Sequence, residues 1–135
     1  MIPPPSDTRT ECPTEVRMNA EEVVRAELAA WSSLDVDQIM AHFAPEATWL
    51  PGFGFATSSG YDEVRQAVEG FVKNPSWIEN EILNLAVSDN IVLTERVDHM
   101  VYDGERLDAP GMGTFEVSED KITAWRDYFD SAAHT

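Results

Sequence analysis

The residues best suited to chemistry in this chain are two aspartates and an arginine, set where polar groups are costly. From Ile91 to Tyr102, strand alternation puts Val92, Thr94, Arg96, Asp98, Met100 and Tyr102 on one face. Ile91, Leu93, Glu95, Val97, His99 and Val101 fall on the other. Arg96 and Asp98 therefore share a face with apolar neighbours above and below. Near the C-terminus Trp125, Asp127 and Phe129 share one face, and Arg126, Tyr128 and Asp130 the other. A carboxylate between two large aromatics is poorly solvated, so it must find a partner or take up a proton. Arg96 is the natural partner if the two strands bring their inward faces together. One guanidinium cannot balance two buried acids. One acid staying protonated while the other is ionised is the arrangement that acid–base work requires. A purely structural ion-pair network would use the same residues, and spacing alone leaves both readings open.

Other chemistries find little support. His42 reads as a helix residue between Ala41 and Phe43, His99 faces away from Asp98, and His134 lies near the end. No HExxH, CxxC or carboxylate–histidine cluster has metal-ligand spacing, so no metal site is expected. There is no GxGxxG and no GxSxG elbow, and no cofactor is expected. Cys12, the one cysteine, sits in a polar stretch without an activating partner. The Trp, Phe and Met residues are core in one reading and walls of an apolar ligand cavity in the other. Trp49, Met100, Met112, Trp125 and Phe129 are the candidates for such walls.

The elements that must position these groups follow from periodicity. Pro3, Pro4, Pro5 and Pro13 with interspersed Ser, Asp and Thr give residues 1–17 no apolar period, and a flexible tail is expected there. Residues 18–135 are expected to form one domain. Asn19 with Glu22 has capping-box spacing ahead of Val24, Leu28 and Trp31, which predicts a helix over 20–33. Asp35 with Gln38 predicts a second helix carrying Val36, Ile39, Met40 and Phe43, stopped by Pro45. A short strand over 47–50 and a loop over 51–60 precede a third helix over 62–73, which Pro75 closes. The period then changes to two, and strands are predicted over 77–88, 90–102, 107–117 and 121–130. Asp103-Gly104 is a strong hairpin signal. Three helices ahead of an antiparallel meander predict an α+β fold in which helices cover one face of a curved sheet. A cone-shaped pocket is left between them.

Composition narrows the partners. The chain has 135 residues, 25 Asp+Glu against 9 Lys+Arg, and a formal net charge of −16. That balance disfavours nucleic acid and anionic lipid, both of which need basic surfaces. No run of about 18 apolar residues offers a membrane span, and no secretory leader is evident. A cytoplasmic protein is expected.

Two segments carry a family resemblance. Leu93-Thr94-Glu95-Arg96-Val97-Asp98 and Ile122-Thr123-Ala124-Trp125-Arg126-Asp127-Tyr128-Phe129-Asp130 resemble the signature strands of the limonene-1,2-epoxide hydrolase family, within the NTF2-like and SnoaL-like superfamily of cone folds. The resemblance covers nearly all of residues 19–130. It implies an enzyme that adds water to an apolar epoxide in one step. Asp127 then resembles the base that activates water, Asp98 the acid that protonates the epoxide, and Arg96 the bridge between them. Relatives of this kind often form homodimers through the outer sheet face. One departure stands out. The family holds its water with a Tyr and an Asn two residues apart on the first strand, and the aligned positions here are Trp49 and Pro51. Shifting by one residue offers Leu50 and Gly52. Thr57, Ser58, Asn80 and Asn84 are the other polar candidates. Without a water holder, the same acid pair suits an epoxide-opening cyclase or a ketosteroid-type isomerase. Without catalysis, the cavity suits an apolar-ligand binder.

Overall fold

The computed structural model describes residues 18–130, so the predicted tail over 1–17 lies outside the described residues. Helix α1 spans Ala20–Ala30, with a 3-10 turn at Trp31–Ser33. Its start is the expected capping box: Asn19 Oδ1 accepts from Glu22 N at 2.8 Å, and Glu22 Oε1 accepts from Asn19 N at 2.9 Å. Helix α2 spans Val36–Met40, capped by Asp35 Oδ1, which accepts from Asp37 N and Gln38 N. Helix α3 spans Tyr61–Val72.

The strands are β1 (Phe43–Leu50), β2 (Ser58–Ser59), β3 (Trp77–Ser88), β4 (Ile91–Tyr102), β5 (Glu105–Ser118) and β6 (Lys121–Phe129). They form one sheet in the order β2-β1-β6-β5-β4-β3. Every neighbouring pair is antiparallel except β1 with β6, which run parallel. The β4–β5 hairpin turns at Asp103 and Gly104, both at positive φ (50° and 80°), as a two-residue I′-type turn requires. Irregularities of register in β1, β3 and β5 help the sheet to bend.

The start of β1 corrects the sequence reading. Phe43 belongs to β1 and not to the second helix, Pro45 lies within that strand, and His42 lies in the turn before it. The cause is long-range. Ile122 N donates to His42 O at 2.8 Å, and Phe43 pairs with Ile122. A parallel partner from the far end of the chain outweighs a local helical preference.

The helices pack on one sheet face. Val23, Val24 and Leu28 of α1 and Val64 and Val68 of α3 bury against Val92, Phe115, Ile122 and Trp125 of the strands. The core does not close at the other end of that interface, where aromatic side chains surround a cavity.

Candidate active site

Arg96 and Asp98 stand on the inward face of β4, and Asp127 on the inward face of β6, with β5 between them. The three are buried, with relative exposures of 1 %, 7 % and 4 %. Arg96 bridges the two acids through bidentate pairs. Its Nε donates to Asp98 Oδ1 at 3.0 Å and Nη2 to Asp98 Oδ2 at 2.7 Å. Nη1 donates to Asp127 Oδ1 at 3.1 Å and Nη2 to Asp127 Oδ2 at 2.9 Å. Nη1 also donates to Thr94 Oγ1 at 3.1 Å. All five guanidinium N–H groups are thereby engaged, which fixes its plane.

A strand between the two acids must leave room for this arrangement. Gly113 of β5 pairs with both Thr94 and Asp127. A Cβ on Gly113 would run into Asp127 Oδ1 and lie 2.6 Å from Arg96 Nη1. Glycine is required here by close approach, not by an unusual φ. Asp127 has a further donor two residues earlier on its own strand: Trp125 Nε1 donates to Asp127 Oδ1 at 2.7 Å.

Electrostatics follow from this packing. Burial pushes the Asp127 carboxyl above its ordinary range, aided by the nearby Asp98, while Arg96 and the Trp125 N–H pull it down. For Arg96, burial alone would lower the pKa, yet Asp127 and Asp98 hold it above its ordinary value. The guanidinium stays charged, and the two acids compete for it.

Both acids line a cavity of about 380 Å³. The rest of its wall is mostly apolar and includes Trp31, Trp49, Phe71, Met100, Trp125 and Phe129. Four of the five candidate wall residues, Trp49, Met100, Trp125 and Phe129, thus line it. Met112 does not. It lies on the outer sheet face with 53 % exposure, because its neighbours Gly111 and Gly113 take the inward positions against Phe129, Asp127 and Arg96.

The polar candidates separate as clearly. Trp49 and Pro51 both line the cavity. Trp49 Nε1 is buried and has no hydrogen-bond partner among the described residues. Asn80 lines the cavity beside Asp98, its partner across the ladder, and its Nδ2 donates to Leu28 O at 3.1 Å. Its carbonyl oxygen remains as an acceptor. Asn84 instead donates to Glu95 at 2.8 Å on the outer face. Thr57 is exposed, and Ser58 lies on the edge strand. His99 is held on the outer face by Asp108 at 2.6 Å and Glu81 at 2.8 Å. No cluster of His, Cys, Asp and Glu among the described residues has a geometry that could hold a metal ion.

The sequence reading missed Thr94, Gly113 and the Trp125 hydrogen bond. The Gly111-Met112-Gly113 pattern inside a strand was the available signal, since glycine there marks close approach.

The architecture, three helices on a curved and mostly antiparallel sheet, is that of the NTF2-like and SnoaL-like cone folds. An NTF2-like protein from Cytophaga hutchinsonii superposes with a TM-score of 0.70 at 14 % identity, covering 87 % of this chain and 96 % of that one. A protein described as a SnoaL-like polyketide cyclase from Shewanella denitrificans superposes at 0.77 and 10 % identity, over 85 % and 93 %. These likenesses concern the fold alone. Within it, residues 18–134 match the limonene-1,2-epoxide hydrolase catalytic domain, and the chain belongs to that family. An LEH-like epoxide hydrolase from Mycobacterium tuberculosis has 28 % identity and a TM-score of 0.75, over 84 % of each chain. Epoxide hydrolase EphG of the same organism is 40 % identical over 52 residues, which are 38 % of this chain and 35 % of that protein. The matched stretch thus spans about a third of that relative's length. No helix among the described residues is long and apolar enough to cross a membrane.

Proposed function

We propose that this protein hydrolyses a small apolar epoxide in one step, with Asp98, Arg96 and Asp127 as its catalytic machinery. The observation that carries this reading is the pair of carboxylates on one buried guanidinium at the wall of an apolar cavity. Asp127, raised by burial, is the better base of an ionised carboxylate. It takes a proton from water as the water oxygen attacks an epoxide carbon. Asp98 serves as the acid and gives a proton to the ring oxygen as the C–O bond breaks. Epoxide plus water becomes a diol. The proton lost by Asp98 is matched by the one gained by Asp127, and a transfer between the two acids resets the site. Each transfer contributes about 10²- to 10⁴-fold. Asn80, Trp49 and Tyr102 of the cavity wall can orient water: Asn80 offers an acceptor oxygen, Trp49 an N–H and Tyr102 a hydroxyl.

Replacement of the family's Tyr and Asn by Trp49 and Pro51 supports a second reading, opening of an epoxide by a nucleophile within the substrate. A panel of apolar epoxides and hydroxy-epoxides separates the two. Diol from the plain epoxides supports hydrolysis. Cyclic ether alone supports the second reading, and no turnover of any member would count against both. The exposed Leu83, Leu93, Met112 and Tyr128 of the outer sheet face suit pairing with a second copy of the chain.

A further inference from the structure

The cavity's charge and its rings together favour a class of ligand distinct from a neutral epoxide. Asp98 and Asp127 line it, and no Lys, Arg or His among the described residues does. The single guanidinium behind them spends all five N–H groups on Asp98, Asp127 and Thr94. With both acids ionised, the group carries one excess negative charge in a poorly solvated place.

The walls suit a cation as well. Trp31 and Trp49 meet at 5.6 Å and 49°, and Trp49 and Phe71 at 5.4 Å and 57°. Rings tilted in this way turn their faces in different directions, and an aromatic face attracts a cation. The neighbouring rings already serve a cation, since the Arg96 guanidinium carbon lies 6.0 Å from the centroids of both Trp125 and Phe129.

We infer that the cavity binds small alkylammonium ions, with the alkyl groups against Trp31, Trp49 and Phe71 and the charge answered by the Asp98–Asp127 pair. The inference rests on the cavity itself and does not require epoxide hydrolysis. If the cavity does open epoxides, such an ion imitates the positive charge that builds on the ring carbon and competes with substrate.

A proton is the ion's natural rival for the excess charge. The charged groups facing Asp127 are Arg96 and Asp98 of β4. Beside it, β5 offers Gly113, β1 offers Trp49 and Pro51, and β6 offers Trp125. Burial raises Asp127, so a bound cation lowers it again and displaces a proton. Affinity for the ion must then fall as the pH is lowered.

Choline and 3,3-dimethylbutan-1-ol test this, being alike in shape and differing by one positive charge. Titration calorimetry on the wild-type protein at pH 8 should find choline bound at least about tenfold more tightly. As the pH is lowered, proton release should appear as a buffer-dependent heat and the advantage should shrink toward pH 5. Trp49→Leu, or Asp98→Asn where it folds, should reduce the advantage. Equal affinities at pH 8, or weaker binding of choline, would overturn the inference. Absence of diol in the epoxide panel would overturn only the hydrolase reading, so the two failures are distinguishable.

Discussion

Gly113 stands directly across the ladder from Asp127, and the space a side chain would take there holds the Asp127 carboxylate and the Arg96 guanidinium. The missing methyl is therefore part of the site. Gly113→Ala should push Asp127 and Arg96 apart, cost about 1–3 kcal/mol of stability, and reduce kcat by at least about tenfold. Chemical denaturation and steady-state kinetics on the same preparation check both effects. An unchanged kcat would separate the Asp127–Arg96 geometry from turnover.

Arg96 is the cation that pairs with both buried acids. Arg96→Met should abolish turnover and weaken the fold by about 3–5 kcal/mol at neutral pH, since it leaves buried charge uncompensated. Without the guanidinium, burial is less opposed and the folded-state pKa of Asp127 rises further above its unfolded value. Stability from such groups is present at low pH and lost as pH rises through the folded pKa. The variant should melt at a higher temperature at pH 5 than at pH 7.5, relative to wild type. Thermal melts across that range read the sign directly.

The Trp125 indole donates to Asp127 Oδ1 at 2.7 Å and helps to hold down a carboxyl that burial raises. Trp125→Phe removes that donor, so the Asp127 pKa should rise further. A base must be ionised to act, and the acid limb of the kcat/KM profile should therefore move to higher pH. An unmoved limb would mean that the titration seen in the rate belongs to another group.

Glu27 of α1 is buried with no cationic partner among the described residues, and its Oε2 accepts from Trp31 Nε1 at 3.1 Å. Burial raises its pKa well above the ordinary value, with the Trp31 bond opposing. Its contribution to stability is present below about pH 4.5 and declines as pH rises toward the folded pKa. Glu27→Gln cannot ionise. The variant should gain on wild type in melting temperature as pH rises above about 5, and a difference independent of pH would contradict this.

Much of this was legible in the sequence because strands sort their side chains by parity. Arg96, Asp98 and Asp127 stand out as polar groups among Val92, Met100, Trp125 and Phe129, and the fold places all of them inward. The capping box at Asn19 and the Asp103-Gly104 turn are local devices, and both form where local chemistry predicts. What escaped depends on distant partners. Phe43 reads as helical until Ile122 pairs with it. Met112 reads as a cavity wall until Phe129, Asp127 and Arg96 fill the space on either side and leave only glycine room to face inward. The choice of Asn80 over Asn84 depended on a register shift between Ile82 and Asn84, which puts Asn84 opposite Glu95 on the outer face. Nothing local to β3 announces that shift.

In the proposed mechanism Asp127 activates water and forms no bond to the substrate. A single turnover in ¹⁸O-water, with enzyme in excess over epoxide, tests it most directly. Direct attack by water predicts a diol carrying one ¹⁸O and a protein without label in the peptides containing Asp98 or Asp127. A diol free of ¹⁸O, with the label instead in the carboxylate of Asp98 or Asp127, would show a covalent ester and contradict direct attack by water.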